Sequence, residues 1–311
     1  MSSIDKDPYI DRDGRFEARY LAFLETISEL RPSLHRYCAR MTGSAMDGED
    51  VVQEALFEAY RKLDKFDETR PLKPWLFRIA HNRCIDFLRR RGVRDKAEAA
   101  ASTSEEFLPS EPAALDAGSA IEHLVVTLPP KERASVLLKD VFDYPLEEIA
   151  ELVNSTIGGV KAALNRGRAK LAASTPQPKP ARSASPELKR IMQTYVDRFN
   201  RRDWDGVREL TSADARLKVH ERYAGKLADA PYFANYAEWP WPWKLVLGEV
   251  DGESIVFILR GEAETWTPHS AVRLVVSGQR IEGIVDYMHC PWLLQAASSV
   301  SLTGGAGMIV G

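Results

Sequence analysis

Residues Pro145–Ala172 read PLEEIAELVNSTIGGVKAALNRGRAKLA. Two amphipathic segments flank a turn at Asn154-Ser155-Thr156. On the first, Ile149, Ala150, Leu152 and Val153 turn to a core; on the second, Val160, Leu164, Gly167 and Leu171 recur at the spacing of a buried helical stripe. Lys161, Asn165 and Arg168 fall on another face, with Arg166 and Lys170 beside them, and no acid occurs between Gly158 and Ala172. The pattern is that of a helix-turn-helix whose second helix enters the major groove. Helix pairs are common in any bundle, so the basic, acid-free second helix is what points to DNA.

Upstream, Trp75–Arg91 reads WLFRIAHNRCIDFLRRR. Trp75, Leu76, Ile79, Ala80, Cys84, Phe87 and Leu88 form one apolar stripe, which places Trp75 in a core. Arg78, Asn82 and Asp86 lie four apart on a different face. Asn82 is placed to hydrogen-bond a base edge. Arg89, Arg90, Arg91 and Arg94 close the segment; they either contact phosphate or complement the helix dipole.

The 311 residues carry a net charge of −3, which hides a strong segregation. Asp47–Glu58 holds five acids and no base, Arg61–Lys96 twelve bases, and Ala100–Pro130 acids only. Such patterning suggests at least two charged partner surfaces and says nothing of fold. No apolar run reaches the ~18 residues of a membrane span. The N-terminus lacks the basic and apolar regions of a signal peptide. Cys38, Cys84 and Cys290 are isolated, so neither a zinc site nor a disulfide framework is indicated, and a reducing, cytoplasmic compartment is expected. The sequence calls for no cofactor, metal or membrane partner.

The chain is read as multidomain: helices over 15–96, an acidic linker over 97–117, helices again over 118–173 including Ala120–Leu128, a Pro-rich tether over 174–186, an α+β domain over 187–295, and a loosely held tail over 296–311. In the α+β domain, Glu187–Leu210 reads as two helices broken near Asn200–Asp205. Strand-like runs follow, with a hairpin signal at Asp251-Gly252.

DGEDVVQEALFEAYRKL (Asp47–Leu63), RPLKPWLFRIAHNRCIDFLRRR (Arg70–Arg91) and LPPKERASVLLKDVFDYPLEEIAELVNSTIGGVKAALNRGRAKL (Leu128–Leu171), in that order, resemble regions 2 and 4 of bacterial extracytoplasmic-function sigma factors. The likeness covers about residues 15–173. The remainder resembles the SnoaL-like cone fused behind region 4 in some groups of that family. The fold this implies is two all-α sigma domains, a helical bundle and a helix-turn-helix, followed by an α+β cone.

The resemblance implies a partner for each segment. Asp50, Gln53 and Glu54 would dock on the β′ clamp helices of core RNA polymerase, which the factor recruits through its β′ and β subunits. Phe66, Arg78, Asn82, Asp86, Arg89 and Arg90 would meet promoter DNA at the −10 element, with one base flipped into the loop Phe66–Lys73. Lys161, Asn165, Arg166 and Arg168 would read the −35 element. The third domain would contact regions 2 and 4 and regulate them in cis.

Three positions depart from the family pattern: Ala162-Ala163 stands where Ser-Arg is frequent, and Gly167 where Ala is. Gly158, Gly159 and Gly167 each cost a helix about 1 kcal/mol against Ala, so region 4 is expected to bind weakly alone. In the third domain, His220, Tyr223, Asp286 and His289 are the candidates for acid–base chemistry, but no paired spacing marks a catalytic site and none is assigned. Trp239, Trp241 and Trp243 suit a regulatory interface, packing at the cone mouth, or a small-molecule pocket. Two other functions fit parts of the pattern: a polymerase-independent helix-turn-helix repressor, and an enzyme with a fused DNA-binding regulator.

Overall fold

The computed structural model describes residues 15–67, 69–101, 128–173, 185–220, 222–262 and 265–302. They fall in two units, one helical and one built on a sheet. The helix expected over Ala120–Leu128 except its last residue, most of both linkers and the chain beyond Leu302 lie outside the described residues.

The helical unit opens with α1 (Arg15–Thr42) and α2 (Ala45–Arg61). Gly43, at φ 77°, supplies the left-handed residue that ends α1. The Ser44 hydroxyl then caps α2 by accepting from Asp47 N at 3.2 Å. The two helices cross at Gly48, where an added Cβ would lie 2.5 Å from Ala39 N and 2.6 Å from Ala39 Cα. Helix propensity favours Gly48→Ala by about 1 kcal/mol. The crossing reverses that sign, because the obstacle is backbone: Gly48→Ala is expected to destabilise the unit by about 1–3 kcal/mol, read as a lower denaturant midpoint at unchanged slope.

α3 (Leu72–Ala101) carries Trp75–Arg91 and runs on into the segment read as linker. Its apolar stripe packs as the spacing predicts, with Leu76, Ile79, Ala80 and Cys84 buried and Trp75, Phe87 and Leu88 half-buried. Phe77 and His81, outside that stripe, are buried too.

After Leu128 come α4 (Pro130–Val136), started by a proline at its first position, and a π-type turn over Leu137–Val141. Then follow α5 (Leu146–Leu152) and α6 (Ile157–Ala173). Asp143 (φ 51°), two residues before the break at Pro145, and Asn154 (φ 49°), in the turn marked above, take positive-φ positions. The side chains of both helical regions join in a single apolar core.

The second unit begins with α7 (Pro186–Asn200) and α8 (Trp204–Leu210), broken where expected. The strands are β1 (Thr211–Val219), β2 (Tyr223–Lys226), β3 (Trp243–Val250), β4 (Glu253–Glu262), β5 (Thr265–Ser277), β6 (Arg280–Asp286) and β7 (Val300–Leu302). A short helix, α9 (Tyr232–Ala237), lies between β2 and β3. The sheet order is β2-β1-β6-β5-β4-β3-β7, antiparallel except where β1 meets β6. Asp251-Gly252 forms the β3–β4 hairpin with both φ values positive, as a two-residue primed turn requires. Bulges interrupt the register between Ile258 and Leu259 and between Val275 and Val276, bending the strands. Tyr195 and Phe199 of α7, Val207 of α8 and Tyr232 and Tyr236 of α9 pack on Leu245, Val256, Ile258 and Ile284 of the sheet. The tail is corrected in part: Val300–Leu302 is not loose but pairs with β3, lengthening the sheet by one edge strand.

Candidate nucleic-acid and partner interfaces

On α3, Arg78 and Asn82 are exposed opposite the buried stripe and take no hydrogen bond or ion pair among the described residues. Asp86 shares their face but is half-buried and bonded by Arg89 at 3.1 Å. Phe66 lies against Trp75, ring centroids 4.7 Å apart, which fixes the loop before α3 onto the start of that helix.

Arg83 and two of the closing arginines, Arg90 and Arg91, meet the acidic helix. Arg83 binds Glu58 at 2.5 Å, Arg90 lies 3.5 Å from Glu54, and Arg91 3.4 Å from Asp47. Burial pushes Glu58 up, yet the hydrogen bonds from Lys62 and Arg83 outweigh it and hold the carboxyl below its ordinary range. The segregated charges of α2 and α3 thus partly neutralise each other within one domain. The acidic block also divides: Glu49 is buried and ion-paired with Arg31, Asp50 and Gln53 are half-buried, and Glu54 is exposed.

On α6, Lys161 and Asn165 are exposed and take no partner among the described residues. Arg166 and Arg168 are exposed but tied back to α4 and the turn after it: Arg166 to Glu132 at 3.0 Å, and Arg168 to Asp140 through two bonds at 2.5 and 3.1 Å. The Asp140 hydrogen bond raises the Arg168 guanidinium further above its ordinary range. The expected cost of Gly167 needs correction. A Cβ there would come within 2.9 Å of Val136 Cγ2, so the glycine permits the close approach of α6 to α4.

Sequence reasoning missed how the two helical regions meet. Phe142 and Tyr144 reach the first region: Phe142 packs on Tyr37 (5.9 Å) and Phe77 (6.3 Å), Tyr144 on Phe77 (5.6 Å), and the Lys73 ammonium sits 5.1 Å from the Tyr144 ring. Arg133, pushed down to about 10 by burial, donates to the carbonyls of Met41 and Leu128. The only signal in the sequence was the Asp143-Tyr144-Pro145 break, which marks a turn without saying what the aromatic touches.

In the sheet unit, Asp286 ends β6 fully buried. Its Oδ2 accepts from Tyr232 (2.8 Å) and Tyr236 (2.5 Å), and its Oδ1 from Met288 N (2.8 Å). Tyr223, Asp286 and His289 line one cleft of about 460 Å³. His220 does not line it; it is buried and stacked on Tyr287 at 4.5 Å. Of the three tryptophans, Trp243 is buried, covered by the Arg202 guanidinium at 3.4 Å, and belongs to the core rather than to an interface. Trp239 and Trp241 are half-buried and 4.2 Å apart.

A helical domain with an exposed basic-polar file, followed by a helix-turn-helix with its own, defines a two-part DNA-binding factor. Two family models match it: Sigma-70 region 2 over residues 26–94 and Sigma-70, region 4 over residues 119–171. The ECF RNA polymerase sigma factor SigW of Bacillus subtilis is 30% identical over 159 residues, 47% of this chain and 85% of SigW. SigG of Mycobacterium tuberculosis is 28% identical over 242 residues, 68% of this chain and 62% of SigG, more of this chain than regions 2 and 4 together. Among solved structures, the Mycobacterium tuberculosis extracytoplasmic function sigma factor SigJ aligns at 17% identity and a TM-score of 0.34, over 86% of this chain and 97% of SigJ. The chain belongs to the ECF RNA polymerase sigma factors and acts in transcription initiation. Among the described residues no helix is long and apolar enough to cross a membrane.

Proposed function

We propose that this sigma factor reads its promoter with two exposed files, Arg78 and Asn82 of α3 at the −10 element and Lys161 and Asn165 of α6 at the −35 element, and that its C-terminal domain regulates it in cis. The observation that carries the first part is that these four polar side chains are exposed without a partner, while neighbouring candidates are engaged within the fold. Exposed donors at the start of a second helix suit base and phosphate contact. Asp50, Gln53 and Glu54 of α2 are the proposed contact with the β′ subunit of core polymerase, Glu54 being the most exposed of them. Packed on one core, regions 2 and 4 are in a closed state, which engaging both promoter elements would open.

The cis-regulatory part is supported by domain order, by a tether with Pro176, Pro178 and Pro180, and by the half-buried pair Trp239 and Trp241. A tether raises effective concentration, so a weak contact suffices. The polymerase-independent repressor reading would leave the Asp47–Glu58 face unused.

Run-off transcription on genomic fragments with purified core polymerase tests this, comparing the full chain with one ending at Ser174. The truncated form is expected to change the promoter-dependent rate at least threefold. Equal rates and equal DNA affinity would overturn regulation in cis, and core binding by neither form would overturn the assignment of α2.

A further inference from the structure

The cleft in the sheet unit is used by none of the sigma functions. Its walls come from β1 (Leu217, Val219), from the segment leading into α9 (Ala230, Pro231) and from Met288, and they are largely apolar. At about 460 Å³ it lies within the ordinary size range of small-molecule sites. Its polar group is built rather than incidental: the fully buried Asp286 carboxylate, held by Tyr232, Tyr236 and the Met288 amide.

That network fixes the polarity of the site. A tyrosine hydroxyl has one proton to donate. Tyr232 and Tyr236 both spend theirs on the same oxygen, Oδ2 of Asp286. What the two phenol oxygens can still offer a ligand is acceptance. A ligand donor, hydroxyl or N–H, completes them; an ether or ketone at the same place meets only lone pairs. Charge narrows the class further. An anion would approach a buried carboxylate, and a cation would pass Arg222 and His289, which line the same cleft.

We propose that this cleft binds an uncharged, largely apolar small molecule whose hydroxyl or N–H group is accepted by the phenol oxygens of Tyr232 and Tyr236. Asp286 is the positioning group that orients both phenols. Burial pushes its carboxyl above the ordinary range against the pull of the Tyr236, Met288 and Tyr232 hydrogen bonds. With both oxygens already engaged, the carboxylate serves as an anchor. Such binding needs neither polymerase nor DNA, so it stands or falls apart from the transcriptional role.

The test is isothermal titration of the purified full-length protein with three probes of one ring size: 2-naphthol, 2-methoxynaphthalene and 2-naphthoate. Saturable binding of 2-naphthol at one site is expected, with the methyl ether at least tenfold weaker and the carboxylate weaker still. A site built for a donor rejects the analogue that lacks it, because its own polar groups go unmatched. Tyr236→Phe should weaken 2-naphthol at least tenfold while the methyl ether is unchanged. Met288→Trp, at a half-buried wall position outside the hydrogen-bond network of side chains, should abolish binding by filling the space; unchanged far-UV dichroism shows that each variant folds. Equal affinity for the alcohol and its ether, tighter binding of the carboxylate, 2-naphthol binding unaffected by Met288→Trp, or no saturable heat with any probe would each overturn the proposal.

Discussion

Replacing Arg78 and Asn82 together by Ala is expected to lower promoter-dependent run-off about thirtyfold, while core-polymerase affinity stays within about twofold and the melting temperature does not move. Both side chains are exposed on α3 and take no partner among the described residues, so the fold loses nothing by their removal. Surface substitutions of that kind usually change stability by less than about 0.5 kcal/mol. Each base-edge or phosphate contact is worth about 1–3 kcal/mol, and two at the lower value give roughly a thirtyfold change. The specificity of the result matters more than its size. The contact proposed for polymerase is on α2, another helix, so a loss of core affinity matching the loss of transcription would place Arg78 and Asn82 on the polymerase and not on DNA. A change below about threefold would remove them from the DNA interface altogether.

The same variants at Arg166 and Arg168 would be harder to read. Glu132 is held below its ordinary range by hydrogen bonds from Lys170 and Arg166, and Arg168 grips Asp140. Their removal changes the α4–α6 packing as well as any contact to phosphate. The Arg168–Asp140 pair faces solvent, and such pairs are individually weak, about 0–1 kcal/mol, so DNA phosphate can compete for Arg168, whereas Arg166 and Lys170 close over the buried Glu132. On α3 the exposed Arg90 is matched in the same way by Glu54 at 3.5 Å, and the half-buried Arg91 by Asp47 at 3.4 Å. Their pairing serves the helix–helix contact, and it keeps phosphate contact available at low energetic cost.

Period and punctuation carried most of the fold. The buried stripes of α3 and α6, the positive-φ breaks at Asp143 and Asn154 and the Asp251-Gly252 hairpin are local consequences of side-chain spacing or of a residue's φ preference, and local signals are written in the chain. What the sequence hid were pairings between distant segments. Nothing near Gly48 says that Ala39 backbone will lie against it, and nothing near Gly167 says that the Val136 side chain will. Read locally, both are helix-weakening residues; in the fold they are contact points. The DNA-facing candidates were legible as a face but not as a hierarchy, because exposure separates Arg78 from Asp86 only once α2 and α3 are packed. Trp243 shows the converse: an aromatic cluster looks like a surface patch in sequence, and its buried member is picked out only by packing against Phe199 and Tyr236 in the fold. The Asp286–Tyr232–Tyr236 network joins Asp286 to residues 54 and 50 positions away, and no spacing rule reaches that far.

Acid is expected to loosen the helical unit well before its carboxylates are neutralised, through His81. The ring is buried on α3, and the Tyr37 hydroxyl lies 2.8 Å from its Nδ1, a contact that suits the neutral ring as acceptor. Burial pushes its pKa down to about 4, whereas the unfolded chain protonates histidine near about 6.5. Between those values the unfolded state holds a proton that the folded state does not, so stability falls as pH drops through about 6.5 and levels off below about 4. The whole window is worth about 3 kcal/mol, and the part from pH 7.5 to 5 about 2 kcal/mol, which should lower the melting temperature by roughly 4–8 °C. Glu58 and Glu132, held below their ordinary range, act in the same direction but later, since their contributions are lost only as pH falls below about 4.5. His81→Gln keeps an acceptor for Tyr37 without a group that titrates in this range. Its melting temperature should be nearly flat from pH 7.5 to 5 while the parent protein's falls. An equal slope in the two proteins would show that His81 is already protonated in the fold, or that acid opens the unit somewhere else.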